Sequence, residues 1–226
     1  MKTLLLWDID GTLLVSSGAG MRALCVPLRT LHGIDATLED IDCAGRTDLH
    51  ILRQIFTRYD LPISDPAFHR YLDGYVAALP AELAKPGAHI LPGIPALLAA
   101  AAVRPDVTQA LLTGNAQRGA RAKLDFHGLW DFFPFGAFAD DSEHRNDLGP
   151  HALRRAREHT GVDFAPERVW VIGDTPHDIA CGRFIGARTL AVATGSHSAA
   201  ALSGYQPCAV LPDLCDPAAF WRLIDA

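Results

Sequence analysis

The chain has 226 residues, 49% of them hydrophobic, which supplies a single domain or one large core with a modest second module and excludes a disordered composition. Its formal net charge is −6 and no Lys/Arg block occurs, so it lacks the local basic field with which proteins usually hold nucleic acid or an anionic membrane. Five cysteines, with no Cys-x-x-Cys pair, argue against a disulfide framework and for a reducing, cytoplasmic setting.

The first run, KTLLLWD at 2–8, has the positive start and short apolar stretch of a secretion signal. Acidic residues interrupt it at once, so it reads as a buried strand. It ends in Asp8 and Asp10, followed by Gly11 and Thr12. VSSGAG at 15–20 leads into a region with candidate helices at 19–33, 48–59 and 66–83 and no alternating strands. Pro27 is expected to bend or interrupt the first helix. Gly18 and Gly20 lack the spacing of a dinucleotide fingerprint. KPG at 85–87 returns the chain to apolar strands at 105–113, 167–174 and 187–194, with 208–214 a further candidate. Helical stretches at 94–103, 116–127, 147–160 and 176–185 alternate with them. The pattern predicts an α/β fold: a Rossmann-like parallel-sheet core of 1–15 and 87–226, with an α-helical cap inserted at 16–86. No stretch is long and charge-free enough to cross a bilayer.

Ligands of open α/β sheets gather beyond the carboxyl ends of the strands. Three such ends carry polar chemistry: WDIDGT at 7–12, LLTGN at 111–115 and VIGDTPHD at 171–178. A parallel sheet brings Asp8, Asp10, Thr113, Asn115, Asp174 and Asp178 to one edge. Taken singly, each junction reads as a turn or helix cap: Asn115 as a cap, Thr175 as a cap followed by Pro176 and Asp178. In series they form a carboxylate cluster that repels itself unless a hard cation neutralises it. All-oxygen ligands favour magnesium over zinc.

These motifs resemble those of the haloacid dehalogenase-like hydrolase superfamily, of the phosphoglycolate-phosphatase-like type with a helical cap. DIDGT at 8–12, LLTGN at 111–115 and GDTPHD at 173–178 occur in its order, and the resemblance spans nearly the whole chain. It implies that Asp8 is a nucleophile that becomes an aspartyl-phosphate, and that Asp10 is the general acid and then the base that activates water. It implies phosphate binding by Gly11, Thr113, Gly114 and Asn115, and Mg²⁺ held by Asp8, the carbonyl of Asp10 and Asp174. Thr12 would support that shell, and Asp178 would orient the family's basic residue or support the shell. The second aspartate argues for phosphoryl transfer over dehalogenation. The family's basic residue departs here from its common Lys-Pro form. Arg145 is the best match, and Arg binds two phosphate oxygens at once. Lys123, inside the preceding helix, is the other candidate.

In the cap, CAGRTDLH at 43–50 resembles the family's substrate-specificity loop, and Arg46 suits a charged leaving group. Its other reading is a solvated loop arginine. Thr47 and Asp48 read as a helix start. The histidines show no metal spacing, and 132–145 is expected to shape the pocket wall before Arg145. The resulting expectation is a Mg²⁺-dependent phosphatase acting on a small phosphorylated metabolite, phosphoglycolate first. The alternatives are a sugar-phosphate phosphatase or phosphomutase, and a non-catalytic binding protein of the same fold. A phosphonate-cleaving reading needs a cap lysine of depressed pKa, and Lys85 has no apolar setting. Monomer and homodimer are both open.

Overall fold

The structure is a computed structural model that describes residues 2–226. Its strands are β1 (Thr3–Trp7), β2 (Leu14–Val15), β3 (His89–Ile90), β4 (Val107–Leu112), β5 (Gly136–Ala137), β6 (Val169–Gly173), β7 (Arg188–Val192) and β8 (Ala209–Leu211). Its helices are α1 (Ala19–His32), α2 (Asp48–Arg58), α3 (Asp65–Leu83), α4 (Ile94–Ala102), α5 (Gln117–Phe126), α6 (Leu148–Thr160), α7 (Pro176–Phe184), α8 (Ala199–Ser203) and α9 (Pro217–Ile224).

Six strands form one parallel sheet in the order β5-β4-β1-β6-β7-β8. The sequence TLLLW makes β1 its centre because every side chain is apolar or can be buried, so both faces can be covered. Leu5 and Trp7 face one layer, where Trp7 stacks on Phe220 of α9 at 5.6 Å. Leu4 and Leu6 face the other, against Leu148, Ala152 and Cys181 of α6 and α7. A fully buried leucine contributes about 2 kcal/mol, so β1 anchors both layers. The sheet is wound as the alternating pattern predicts. The two-residue strand β5 and the terminal helices α8 and α9 carry too little periodicity to be read from sequence.

The chain leaves and re-enters this core through the antiparallel pair β2–β3, which joins Leu14 to Ile90 and Val15 to His89. Ser17, Gly18 and Gly87 beside it have positive φ, and a Cβ on Gly87 would strike Ser17 Oγ at 2.7 Å. Between these crossings, α1, α2 and α3 build a separate apolar cluster around Leu28, Phe56, Tyr71 and Tyr75. Pro27 does not interrupt α1, which runs unbroken to His32. Its ring packs where Gly74 of α3 has no side chain, so tertiary contact overrides the local preference. Among the described residues, no helix is long and apolar enough to cross a membrane, and all five cysteines are free.

Candidate active site

The parallel winding delivers the three polar junctions to one edge of the sheet, because β1 pairs with both β4 and β6. Asp8 follows β1 directly and hydrogen-bonds through its N–H to Ile172 O at 3.0 Å, so the strand ladder fixes its backbone. Gly11 turns the chain with φ of 82°, a conformation that favours glycine. Glycine is required there for space as well. A Cβ on Gly11 would lie 2.4 Å from Asp174 Oδ2, and one on Gly195, just beyond β7, only 1.7 Å from it.

Asp8, Asp174 and Asp178 each offer a carboxylate oxygen within 4.8 Å of the others. Both oxygens of Asp178 are occupied: Oδ1 accepts from Arg145 Nη2, and Oδ2 accepts from Thr175 N at 3.0 Å and Oγ1 at 2.7 Å. That exchange is a capping box at the start of α7, where Thr175 and Asp178 read as a helix start. Arg145, in a short 3₁₀ turn before α6, also donates to Asp8 Oδ1 at 3.1 Å and Leu112 O at 2.9 Å. Its Nε–H is buried with no acceptor among the described residues. Thr12 Oγ1 donates to Asp174 Oδ1 at 3.3 Å.

Burial, then repulsion from Asp178, pushes Asp8 up to about 7 despite Arg145. Burial, then Asp178 and Asp8, pushes Asp174 up to about 8. Three carboxylates therefore face one guanidinium. Their hard oxygen donors, and the glycine-lined space around Asp174, fit a divalent cation such as Mg²⁺. Asp8 and Asp174 have oxygens to offer it, while Asp178 is committed to Arg145 and Thr175.

Asp10 has different company. Its Oδ1 accepts from Ser16 Oγ at 2.6 Å; its Oδ2 accepts from Asn115 Nδ2 at 2.9 Å and Lys123 Nζ at 2.6 Å. Lys123 also donates to Asn115 Oδ1 at 2.7 Å. Burial raises the proton affinity of Asp10, but the charge and hydrogen bonds of Lys123, with Ser16 and Asn115, outweigh it and hold the carboxyl below its ordinary value. Asn115 is thus a member of the site and not the cap of α5. That helix start is satisfied by Asp48 Oδ2, which accepts from Ala116 N at 2.7 Å, and by Asp140 Oδ2, which accepts from Gln117 N at 2.6 Å. Thr113 is wholly buried beneath Asn115, whose N and Nδ2 donate to its Oγ1 at 3.3 and 2.8 Å. It lies under the cavity wall, while Gly114 and Asn115 line the cavity.

The cap closes against these loops. Asp48 N donates to Gly114 O at 2.7 Å, and Thr47 Oγ1, which caps α2, donates to Glu143 O at 2.5 Å. A Cβ on Gly114 would sit 2.1 Å from Arg46 O, so the contact depends on that glycine. Arg46 lines the cavity, but its guanidinium is held by Asp42 at 2.9 Å. Lys85 is half exposed on Glu82. Residues 132–138 do not line the cavity; Phe133 and Phe138 pack into the core, because apolar bulk there fills the space beside α5. Sequence reasoning gave Lys123 the lesser place because it lies inside a helix. Thr194, whose Oγ1 donates to Gly11 O at 2.6 Å, and Gly195 were missed. The polar end of β7, ATG at 193–195, marks them.

The model of the haloacid dehalogenase-like hydrolase family matches residues 5–183. The chain is 27% identical over 213 residues to the probable phosphatase IndB of Dickeya dadantii, covering 92% of this chain and 88% of that protein. It is 30% identical over 106 residues to the pyrophosphatase PpaX of Bacillus cereus, a match to 47% of this chain that spans about half, 48%, of that relative's length. The fold is shared with a solved structure of CbbY from Rhodobacter sphaeroides in complex with phosphate, at a TM-score of 0.73 and 20% identity over 96% of each chain.

Proposed function

The chain belongs to the haloacid dehalogenase-like hydrolase family, and we propose that it is a magnesium-dependent phosphatase that hydrolyses a small phosphomonoester through an aspartyl-phosphate on Asp8. The observation that carries the reading is the placement of Asp8 within one pocket beside Asp174 and the buried guanidinium of Arg145. Mg²⁺, held by Asp8, the Asp10 carbonyl and Asp174, would neutralise charge on the transferring phosphoryl group.

The remaining work falls to the chain itself. Asp8 is held rigidly by the strand ladder, ready for in-line attack on phosphorus. Attack by one anion on another needs local positive charge, and Arg145 supplies it with an N–H that has no acceptor among the described residues. The P–O bond to the alcohol breaks as the Asp8 oxygen bonds to phosphorus, and the departing oxygen takes a proton from Asp10. Water then attacks the phosphoryl group, loses its proton to Asp10, and frees Asp8 with release of inorganic phosphate. A phosphate dianion entering beside Asp10 raises that carboxyl's proton affinity, opposing the pull of Lys123. The cap, joined to the core at Gly114 and Glu143, walls the cavity beside the leaving group.

Phosphate release from a small aryl phosphate, with and without Mg²⁺, tests this reading; turnover that is indifferent to chelator removes it. A parallel panel of phosphoglycolate, sugar phosphates and nucleoside monophosphates ranks the substrates, with phosphoglycolate the first ester to test.

A further inference from the structure

The cavity at the sheet edge has a volume of about 510 Å³ and extends from Asp8 and Asp10 to the cap. Its cap wall is largely apolar, built from Met21 and Leu24 of α1, Cys43, and Ile51 of α2. Polar side chains interrupt that wall, among them Tyr75 of α3, Asp48 of α2 and Arg46. Tyr75 is 1% exposed, yet its hydroxyl makes no hydrogen bond among the described residues. The hydroxyl opens onto the cavity and bonds no group among the described residues, so it is free to bond a group that arrives with the ligand.

The Tyr75 hydroxyl shares close neighbours with Lys123 and with Asp48. A methyl group built on Gly20 would lie 3.8 Å from Lys123 Nζ and 3.9 Å from the Tyr75 hydroxyl. One built on Gly119 would lie 3.6 Å from Asp48 Oδ2 and 3.7 Å from the same hydroxyl. The charge pattern is equally specific. Three cations line the cavity, and each is already paired: Arg145 with Asp8 at 3.1 Å, Lys123 with Asp10 at 2.6 Å and Arg46 with Asp42 at 2.9 Å. A carboxylate on the leaving group would meet the like charge of Asp48 and no unpaired cation among the described residues.

We infer that the alcohol released by this enzyme has an apolar body seated against Met21, Leu24 and Ile51 and a neutral hydroxyl bonded by Tyr75, and that carboxylate-bearing esters such as phosphoglycolate are poor substrates. The inference rests on the phosphatase reading of the same site. A hydrogen bond to a ligand hydroxyl discriminates against ligands that lack it more strongly than apolar contact alone does.

The test uses alkyl phosphates of three to six carbons, their ω-hydroxy counterparts and phosphoglycolate. Two readouts are taken: kcat/KM with Mg²⁺, and calorimetric binding to Asp8→Asn, which needs no turnover. The best ω-hydroxyalkyl phosphate is expected to exceed the alkyl phosphate of equal length about tenfold and phosphoglycolate by more. Tyr75→Phe is expected to bring the hydroxyalkyl-to-alkyl ratio close to one, and a ratio is insensitive to the fraction of folded protein. Met21→Lys, which adds a cation at the cavity wall, is expected to raise phosphoglycolate relative to the alkyl esters. Phosphoglycolate ranking first on the wild type, or a ratio that Tyr75→Phe leaves in place, overturns the inference while leaving the phosphatase reading intact. Binding in the expected order with no turnover of any ester removes the phosphatase reading instead.

Discussion

Asp8 and Asp10 are separated by one residue, yet the two sides of the site around them are built on opposite electrostatic plans. On the Asp8 side, three acids share one guanidinium, and burial with mutual repulsion lifts Asp8 and Asp174 to about 7 and about 8. On the Asp10 side, burial is outweighed by Lys123, Ser16 and Asn115, and the carboxyl is held below its ordinary value. The first side is left with uncompensated negative charge that suits an external cation; the second carries its own cation from α5. One strand end thus carries a carboxyl raised by its surroundings, the proposed nucleophile, and one lowered by them, the proposed proton carrier. Groups whose surroundings push their proton affinities apart can take different roles.

The sharpest way to break this comparison is Asp8→Asn. Loss of the proposed nucleophile is expected to lower kcat by about 10⁴-fold or more in phosphate-release assays. The same change relieves repulsion against Asp174 and Asp178, so the chelator-treated variant is expected to melt above the wild type, as strained functional sites commonly do when neutralised. A variant that keeps full turnover, or melts lower in chelator, contradicts the plan drawn for that side.

Lys123→Met tests the other side with the opposite sign. The lysine side chain is 6% exposed, whereas that of Asp10 is 38% exposed toward the cavity, so the pair is only partly shielded from solvent. Its loss is expected to cost about 2 kcal/mol in denaturant unfolding, between the values for surface and buried pairs. Activity is expected to fall about tenfold as Asp10 and Asn115 lose their shared donor. Equal stability of variant and wild type would show that Asp10 needs no cation from α5.

A pH series separates the two plans without mutation. Asp8 and Asp174 titrate in the folded state near 7 and 8 against an ordinary value of 3.8, so the folded chain retains protons that the unfolded chain has released. Stability from those protons is complete below about pH 4 and is lost as pH rises through both folded values. In chelator, the melting temperature is expected to fall between about pH 5 and pH 8, by about 2–4 °C for each kcal/mol lost. Mg²⁺ is expected to restore it most at the alkaline end, where the carboxylates are free to bind. A melting temperature that is flat in chelator across that range rules out the repulsive cluster.

The smallest effect is expected from Arg46→Ala. Its guanidinium bonds Asp42 and its side chain is 36% exposed, so kcat/KM is expected to change less than about threefold on any ester. A selective tenfold loss on phosphoglycolate would return Arg46 to substrate recognition.

The layered core was legible because β1, β4, β6 and β7 are short apolar runs at strand length, and only a sheet covered on both faces accommodates them. The acidic side of the site was legible for the same reason. A parallel winding must bring the ends of β1, β4 and β6 to one edge, so the motifs at 8–12, 111–115 and 173–178 converge without knowledge of any contact. The lysine side was harder to read. Lys123 lies inside a helix whose buried face also holds Ala120 and Leu124, and nothing local says that its ammonium reaches across to Asp10. Asn115 looked like a cap because Asp48, which satisfies the start of α5, comes from 68 residues away. The same holds for Pro27, whose place inside α1 depends on the absence of a side chain at Gly74.

Sequence alone determined the chemistry available at the sheet edge, because residue type, strand polarity and parallel winding are local or topological properties. Tertiary structure decided which charges meet, which carboxylate is raised and which lowered, and where the unpartnered hydroxyl of Tyr75 stands. Those outcomes depend on distances of a few ångströms between helices of the cap and loops of the core, and electrostatic energies in a buried site change steeply over such distances.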